Sequence, residues 1–372
     1  MSFLLVASFP ESLLKFRGAL MAELVARDEK VHVAVPDIPM GSTLRLEMEA
    51  VGLIVHEIPL KRVGMNPVSD LKFLAHLVVL MRRTKPKRVL CYTVKPVIYG
   101  LIAAVLARVP YRYALITGLG YAFQGGDSRT FVRSLVKSLY KIALKFSEKT
   151  FFQNPDDEAL FRKLGLIADS AKTSLVNGSG VNLTEFAVSP LPNKLSFLFI
   201  GRLLGDKGVR EYVESARIVC EKYPDIEFGL VGWIDDNPNS VGQDELRRWI
   251  ADSVIKFYGK LEDVRPAIAN CSVYVLPSYR EGTPRTVLEA MSMGRPVITT
   301  DAPGCRETVI NWENGFLTPV RSIDGLVAAM CEFINDPLLV ARMGMRSREL
   351  AEDKYDVNKV NQLMLSEMGF KW

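Results

Sequence analysis

Two carboxylates, Glu281 and Glu289, flank the start of a short apolar run in the second half of the chain. Glu289 follows Arg285 by four residues, so the two side chains share one side of a predicted helix. Carboxylates accept hydrogen bonds from hydroxyl groups, whereas the N–H groups of Arg285 and Thr286 at the helix start favour a phosphate or a sugar oxygen. The pattern therefore indicates a polyhydroxylated ligand that carries phosphate.

Two apolar runs, 273–277 and 295–299, enclose this segment. Each predicts a buried parallel strand. For the helix between them, the residue types predict Thr283 as the N-cap and Pro284 as the first helical residue, where a missing N–H costs nothing. The region 273–299 is therefore predicted to be a strand, loop, helix, strand unit.

A pair of cations follows another predicted strand, in the segment GRLLGDKGV. Arg202 and Lys207 stand where a parallel sheet opens onto its ligand, and two cations beside a helix start can clamp a diphosphate. Taken alone, the same charges fit a solvated loop, just as 281–289 taken alone fits an ordinary helix with two Glu residues.

In combination, these segments resemble the retaining family 4 glycosyltransferases of the GT-B fold. The segment from Glu281 to Glu289, followed by EAMSMGRPVI, resembles the E-x7-E signature of that family, and GR-x4-K in 201–207 resembles its cation pair. VNGSGVN in 176–182 is similar to the interdomain G-V-D segment, with Asn182 in place of the acid. FYGKLED in 257–263 is similar to the strand and loop that hold the base.

The resemblance implies a metal-independent, retaining hexosyltransferase without a cofactor, whose donor is a UDP-linked nucleotide-sugar. Arg202, Lys207 and Glu281 would be catalytic. The donor-binding residues would be Gly201, Lys260, Leu261, Gly282, Thr283, Arg285, Thr286 and Glu289. The implied fold is α/β, with two doubly wound Rossmann-like domains facing across a cleft.

One departure from the family concerns a first-domain His that usually meets the donor sugar. Thr117 and Gly118 stand at the place where that His is expected. The three histidines of the chain, His32, His56 and His76, lie in or near predicted apolar elements, which favours structural roles. The residues expected at the acceptor or the cleft are Lys15, Arg17, Thr117 and Gly118.

A bacterial subgroup acting on polyprenyl-diphosphate-linked sugars shares further segments with this chain. These are R-Y-A-L-x-x-G-L-G in 112–120, D-x-N-P in 235–238 and EG-x-P in 281–284. The resemblance extends to N-acetylgalactosaminyltransferases acting on undecaprenyl-diphosphate-linked sugars. It implies a role in polysaccharide or glycan assembly, and we expect no nucleic-acid partner. Two alternatives stay open: a GT-B epimerase, which needs acidic and His groups converging from both domains, and a non-catalytic binder of sugar nucleotides.

The chain of 372 residues is long enough for two domains of ordinary size. In the first half, strands are predicted at 2–8, 31–36, 53–59, 88–93 and 111–116, and helices at 11–26, 42–50, 69–83, 96–108 and 130–146. In the second half, strands are predicted at 195–202, 227–232 and 254–259, and helices at 209–222, 243–251 and 263–270. This alternation predicts doubly wound parallel sheets in an acceptor-binding domain, 1–183, and a nucleotide-sugar-binding domain, 184–352, followed by a C-terminal helix, 353–372, that crosses back to the first domain.

The odd number of widely spaced cysteines, five in all, predicts reduced thiols and a cytoplasmic protein. The N-terminal run lacks a basic segment and is too short for a signal or a membrane span, which favours a strand. No D-x-D metal box stands in a suitable loop.

Charge is unevenly distributed along the chain. Residues 1–183 hold 25 Lys plus Arg against 15 Asp plus Glu, a net charge of +10, whereas the remainder holds 22 against 27, a net charge of −5. Arg133, Lys137, Lys141 and Lys145 recur every four residues among apolar neighbours, which is typical of a helix lying on an anionic membrane surface. A surface helix packed on the sheet with solvated lysines is the alternative. Because the implied acceptor is membrane-anchored, we expect peripheral attachment to the inner face of the plasma membrane.

Overall fold

The computed structural model describes residues 2–61, 66–118, 130–235, 237 and 239–370, without the side chains of 130–133. The chain divides into two compact units. The first contains Met1–Ser179 together with Asn361–Trp372, and the second contains Gly180–Val360. Residues 119 and 120 of the R-Y-A-L-x-x-G-L-G segment, residues 236 and 238 of the D-x-N-P segment and the side chain of Arg133 therefore lie outside the described residues.

Within the described part of the first unit, seven parallel strands form one sheet in the order β3-β2-β1-β4-β5-β6-β7. These strands are β1 (Ser2–Val6), β2 (Lys30–Val35), β3 (Ile54–Glu57), β4 (Arg88–Tyr92), β5 (Tyr111–Ile116), β6 (Lys149–Phe152) and β7 (Thr173–Leu175). The central strands are apolar along their length because helices cover both faces of the sheet.

The helices of this unit alternate with its strands. They are α1 (Pro10–Ala26), α2 (Thr43–Ala50), α3 (Pro67–Thr84), a π-helical turn (Pro96–Gly100) that continues into α4 (Leu101–Leu106), α5 (Thr130–Leu144) and α6 (Pro155–Lys163). The prediction that α3 begins at Ser69 is wrong by two residues, because the Asn66 side chain accepts from the Val68 and Ser69 N–H groups and starts the helix earlier. The strands β6 and β7 and the helix α6 lie outside the predicted elements.

Two apolar layers cover the two faces of this sheet. Alternate residues of a strand point to opposite faces, so Leu4 and Val6 pack in the layer that includes α3 to α6, whereas Phe3 and Leu5 pack in the layer that includes α1. This second layer also takes up Met364, Leu365 and Met368 from the end of the chain.

The C-terminal residues are part of the core of the first unit. Helix α13 (Val357–Glu367) begins among residues of the second unit, and the segment from Asn361 onward belongs to the first. Arg88 Nε and the Tyr113 hydroxyl both donate to the Met368 carbonyl, each at 2.9 Å. The predicted helix 353–372 thus begins at Val357, since residues up to Lys354 belong to the preceding helix.

The described part of the second unit has six parallel strands in the order β10-β9-β8-β11-β12-β13. They are β8 (Ser196–Ile200), β9 (Glu227–Val231), β10 (Lys256–Gly259), β11 (Val273–Leu276), β12 (Val297–Thr300) and β13 (Gly315–Thr318). Their helices are α7 (Val209–Lys222), α8 (Gln243–Ala251), α9 (Arg265–Ala269), α10 (Arg285–Ser292), α11 (Ile323–Asn335) and α12 (Leu338–Lys354). The prediction of an α/β fold with two doubly wound Rossmann-like domains is confirmed.

Candidate active site

The direction of winding reverses between β8 and β11. From β8 the chain moves outward to β9 and β10, and it then returns to place β11 on the other side of β8. The loops that follow two such strands diverge and leave a crevice beyond their carboxyl ends, which is where open α/β sheets bind ligands. The predicted cation pair follows β8, and the two predicted glutamates follow β11.

The strand, loop, helix, strand unit predicted at 273–299 is present, with one correction at the helix start. Helix α10 begins at Arg285, and Pro284, with φ −74° and ψ 108°, is its N-cap. The Pro284 carbonyl accepts from the N–H groups of Val287 and Leu288, so the predictions of Thr283 as N-cap and of Pro284 as the first helical residue are wrong by one position. A proline fits the N-cap because its fixed φ suits extended backbone.

Helix α10 is held against the end of β8. The buried Tyr274 hydroxyl lies 2.7 Å from Thr286 Oγ1 and 3.1 Å from the Ile200 carbonyl. Burial holds the pKa of Tyr274 well above its usual range, so this hydroxyl keeps its proton. The Tyr274 hydroxyl therefore links the first turn of α10 to Ile200 at the end of β8, two residues before Arg202 in the sequence.

Lys207 and Glu281 form an ion pair across the crevice. Lys207 ends a one-turn 3-10 helix, Gly205–Lys207, and its ammonium contacts Glu281 Oε1. Ser278 Oγ donates to the same Glu281 oxygen at 2.7 Å. The side chains of Lys207 and Glu281 are 20% and 12% exposed, which keeps the pair accessible yet weakly screened.

Close backbone approaches fix the two loops that carry this pair. Gly208 has φ +71°, and a Cβ there would lie 2.1 Å from the Pro277 carbonyl oxygen. Tyr279 N–H donates to the Asp206 carbonyl at 2.9 Å, and the Tyr279 hydroxyl donates to Glu211 on α7. Burial raises the pKa of Tyr279 to about 12. Tyr279 and Glu211 were not predicted from the sequence. Tyr279 lies in the loop after β11 and Glu211 lies on the helix after β8, and no sequence spacing relates the two.

Two further ion pairs line the same edge of the sheet. Arg202 Nη1 lies 2.9 Å from Asp235 Oδ2, in the loop that follows β9. Arg285 Nε lies 2.8 Å from Glu289 Oε1, as the four-residue spacing predicts, and Glu289 is 7% exposed. Each pair offers a cation that suits phosphate and a carboxylate that suits hydroxyl groups. A ligand carrying both groups matches the set.

Lys260 and Leu261 follow β10, and the Lys260 ammonium lies 5.1 Å from the centroid of the Trp233 ring. Trp233, which follows β9, is 40% exposed and offers an apolar face. From the sequence, Trp233 could have been singled out by its position two residues after the strand EFGLV, at the carboxyl end where ligands bind. Gly201, Gly282 and Thr283 lie in the loops between these groups. The described residues contain no cluster of three or more His, Cys, Asp or Glu side chains suited to a metal ion.

The candidates in the first unit differ in their exposure. Lys15 is exposed on α1, and Thr117 and Gly118 follow β5 with partial exposure. Arg17 is 2% exposed, and its Nη1 lies 3.6 Å from Met364 Sδ, so this residue packs in the core and the expectation that it binds acceptor needs correction.

The histidines of the first unit have structural positions. His32 Nδ1 and His56 Nε2 lie 2.9 Å apart on the neighbouring strands β2 and β3, whereas His76 is exposed on α3. Burial, followed by the charges of His32 and Arg45, lowers the pKa of His56 to about 4.

Helix α5 packs one side on the sheet and exposes the other. Val136, Tyr140, Ala143 and Leu144 are buried, as the surface-helix alternative requires. Leu135 and Ile142 are nevertheless 39% and 48% exposed, beside the exposed Lys141 and Lys145 and the half-buried Lys137. Among the described residues, no helix combines the length and the apolar character needed to cross a bilayer.

Two family descriptions match the chain. Residues 194–336 match "Glycosyl transferases group 1", and residues 8–154 match "Glycosyl transferase 4-like". Among curated relatives, the chain is 29% identical over 371 residues to the N,N'-diacetylbacillosaminyl-diphospho-undecaprenol alpha-1,3-N-acetylgalactosaminyltransferase of Campylobacter jejuni, covering 95% of this chain and 94% of the relative. It is 30% identical over 291 residues to the UDP-Gal:alpha-D-GlcNAc-diphosphoundecaprenol alpha-1,3-galactosyltransferase of Escherichia coli, covering 73% and 72%.

Solved structures of similar fold cover the whole chain. Sucrose-phosphate synthase from Thermosynechococcus elongatus has a TM-score of 0.79 at 18% identity, covering 99% of this chain and 98% of that one. Anabaena Alr3699/HepE in complex with UDP-glucose has a TM-score of 0.76 at 18% identity, covering 99% of both chains. These neighbours have the GT-B fold, which this chain shares.

Proposed function

The chain belongs to the group 1 glycosyl transferases, and we propose that it is a retaining, metal-independent enzyme that moves an N-acetylhexosamine from a UDP-sugar to a polyprenyl-diphosphate-linked sugar. The observation that carries the proposal is the meeting of Lys207 and Glu281 at the β8–β11 crevice, beside Arg202 and the start of α10. The names of the Campylobacter and Escherichia relatives support the choice of acceptor.

The donor diphosphate is assigned to Arg202, Lys207 and the first turn of α10. These groups are positive, and they surround the carboxyl end of β8. As the bond to the sugar breaks, negative charge grows on the leaving diphosphate, and cations fixed in advance stabilise that charge without reorganising. Arg202 and Lys207 would thereby supply the positive charge that a bound metal supplies in other diphosphate sites.

The two glutamates bind the hydroxyl groups at the two ends of the donor. Glu281 accepts from the hydroxyls of the donor sugar, and its carboxylate is positioned for this by Ser278. Glu289, held by Arg285, accepts from the ribose. Lys260 and Leu261 contact the base, and the Trp233 ring beside Lys260 gives that end of the site an apolar face.

Retention of configuration without a covalent glycosyl-enzyme intermediate requires the acceptor hydroxyl to attack from the face that the diphosphate leaves. The transition state then resembles an oxocarbenium ion, and we assign the carboxylate of Glu281 to stabilising the positive charge that develops on the sugar ring. By resemblance to the family, the leaving phosphate takes the proton of the acceptor hydroxyl, so no side chain is assigned as general base.

We place the lipid-linked acceptor on the side of the first unit, with peripheral attachment to an anionic membrane through α5. Exposed apolar and cationic side chains alternate on the outer face of this helix, at Leu135, Lys141, Ile142 and Lys145. Such a face enters the headgroup region, and each basic residue contributes about 1 kcal/mol near an anionic surface.

The direct test is incubation of the full chain with a panel of UDP-sugars and an undecaprenyl-diphosphate-linked N-acetylated sugar, with mass spectrometry of both products. We expect one donor to add a single N-acetylhexosamine to the acceptor and to release UDP. Interconversion of the donor without transfer would instead show an epimerase. Binding of UDP-sugar without turnover on any acceptor would show a non-catalytic protein.

A further inference from the structure

The first unit has a cavity of 730 Å³ at the amino-terminal edge of its sheet. Its lining comes from the ends of α3 and α4 and from the turns that lead into β4 and β5. The lining residues are Met81, Arg82, Lys85, Pro86, Lys87, Leu106, Ala107, Arg108, Val109 and Pro110. Thr117 follows the opposite, carboxyl end of β5, so this cavity is distinct from the candidate acceptor residues.

The charge of the lining is entirely positive. Four of its residues are cations and none is a carboxylate, and the whole stretch 71–126 contains nine Lys plus Arg and no Asp or Glu. Arg82 donates to the Leu106 carbonyl at 3.3 Å and so helps to close the end of α4. In the part of the chain that the structure describes, the Lys85 ammonium and the Arg108 guanidinium have no carboxylate partner. Like charges placed this close repel one another, and an anion bound among them would relieve that repulsion.

The backbone positions of these two cations strengthen the argument. Lys85 has φ +45° and Arg108 has φ +60°, each just beyond the end of its helix. Glycine is the usual residue in this left-handed position. Lys85 and Arg108 are instead long cationic side chains, and both line the same cavity.

Apolar surface adjoins the cavity. Leu106, in the lining, is 51% exposed. Arg112 connects the cavity to α5, because its guanidinium donates to the Val109 carbonyl at 2.7 Å and to the Phe146 carbonyl at 2.7 Å. Phe146 is itself 40% exposed.

We propose that this cavity binds the phosphate-bearing headgroup of an anionic phospholipid. The cations match the phosphate, the volume suits a headgroup rather than a lone ion, and the exposed apolar side chains match the beginning of the acyl chains. The inference rests on the proposed membrane attachment and names its ligand. Inorganic phosphate shares the chemistry of the headgroup and is the other possible source.

The test compares the double variant Lys85→Gln/Arg108→Gln with the wild-type chain. Binding to vesicles of phosphatidylcholine and phosphatidylglycerol in equal parts is measured by co-sedimentation, and thermal unfolding verifies the fold. We expect the pair to bind about 30-fold more weakly, from about fivefold per removed charge. The charge-keeping pair Lys85→Arg and Arg108→Lys should bind like wild type.

A matched control removes two exposed charges elsewhere in the same unit, Lys163→Gln and Lys172→Gln. We expect it to weaken vesicle binding by less than about threefold, since distant charges are screened. Equal loss in both pairs, or no loss in either, would overturn the proposal. A rise in melting temperature with inorganic phosphate that the Lys85→Gln/Arg108→Gln double variant abolishes, while its vesicle binding stays at the wild-type level, would also overturn the proposal, in favour of a soluble ligand. Transfer to a short-chain, soluble acceptor analogue is measured in parallel, and its absence in the wild-type chain would contradict the proposed enzymatic function without affecting the vesicle result.

Discussion

Three cation–carboxylate pairs surround the crevice between β8 and β11: Arg202 with Asp235, Lys207 with Glu281, and Arg285 with Glu289. Each pair is partly withdrawn from water, so each charge is held in place by its partner rather than by solvent. In the proposed complex, a UDP-sugar would replace both partners, since phosphate would pair with the cation and hydroxyl groups with the carboxylate. The pairs therefore keep the site preorganised for a ligand that carries both groups.

Arg202→Ala and Lys207→Ala are each expected to lower turnover about 100-fold, because a lost contact to transition-state charge costs about 3 kcal/mol. Steady-state transfer kinetics measure the effect, and thermal unfolding verifies the fold. Arg217→Ala is the matched control, since Arg217 pairs with Asp252 at the carboxyl end of α8, and its loss should change turnover less than about twofold. Unchanged kinetics in either crevice variant would remove that residue from the diphosphate site.

The two glutamates should separate in their effects on binding and transfer. Glu281→Gln is expected to reduce sugar transfer about 10- to 100-fold with little change in UDP affinity, because we propose that its carboxylate binds the donor sugar. Glu289→Gln is expected to weaken UDP binding by about tenfold, because it would lose the proposed charge-assisted bond to the ribose. Isothermal titration calorimetry with UDP alone measures the dissociation constant for UDP in each variant. The reverse pattern would mean that the two roles are exchanged.

At the scale of single elements, substitutions in and just after α5 test the proposed membrane attachment. Charge reversal by Lys137→Glu, Lys141→Glu and Lys145→Glu should release the protein from anionic vesicles, since about 1 kcal/mol per basic residue is lost and repulsion is added. Activity on a long-chain lipid acceptor should fall at least about tenfold, whereas activity on a short soluble analogue should stay nearly unchanged. Equal loss on both acceptors would show that α5 supports the fold or the site instead.

The free energy of unfolding should depend on pH because of His56, on β3. The folded chain keeps His56 neutral down to about pH 4, while the unfolded chain takes up this proton below its ordinary value near 6.5. The unfolded state therefore binds more protons, and stability is lost as pH falls from about 6.5 towards 4. After allowance for partial exposure we expect a loss of about 1 kcal/mol between pH 7 and pH 5. Urea unfolding should show this loss in the wild-type chain and less of it in His56→Gln, and identical losses would contradict the assignment.

Sequence patterns were most informative where the local chain determines the structure. The apolar run 273–277, the E-x7-E spacing and the i to i+4 relation of Arg285 and Glu289 all have the predicted local form. The N-cap of α10 was displaced by one residue because Pro284 accepts two N–H groups, which residue preference alone does not reveal. Partners distant in sequence, such as Asp235 for Arg202 and Glu211 for Tyr279, depend on strand order and could not be predicted from spacing.

At the scale of the whole molecule, the chain is divided by charge as well as by fold. Residues 1–183 carry +10 and the remainder −5, and the basic excess lies in the unit with α5 and the cationic cavity. The last residues of the chain return to that unit, where Met364, Leu365 and Met368 are fully buried and the Met368 carbonyl accepts from Arg88 and Tyr113. Composition showed the charge division, whereas the buried role of the C-terminal residues required the tertiary structure.

Retaining transfer is tested most directly by the anomeric configuration of the product. The wild-type chain is incubated with an α-linked UDP-N-acetylhexosamine and a soluble diphosphate-linked acceptor, and proton NMR of the purified product measures the coupling constant at the new linkage. We predict an α linkage, because attack from the face that the diphosphate leaves preserves configuration. A β linkage would contradict retention, and no transfer from any UDP-N-acetylhexosamine would contradict the assignment of the crevice as a transferase site.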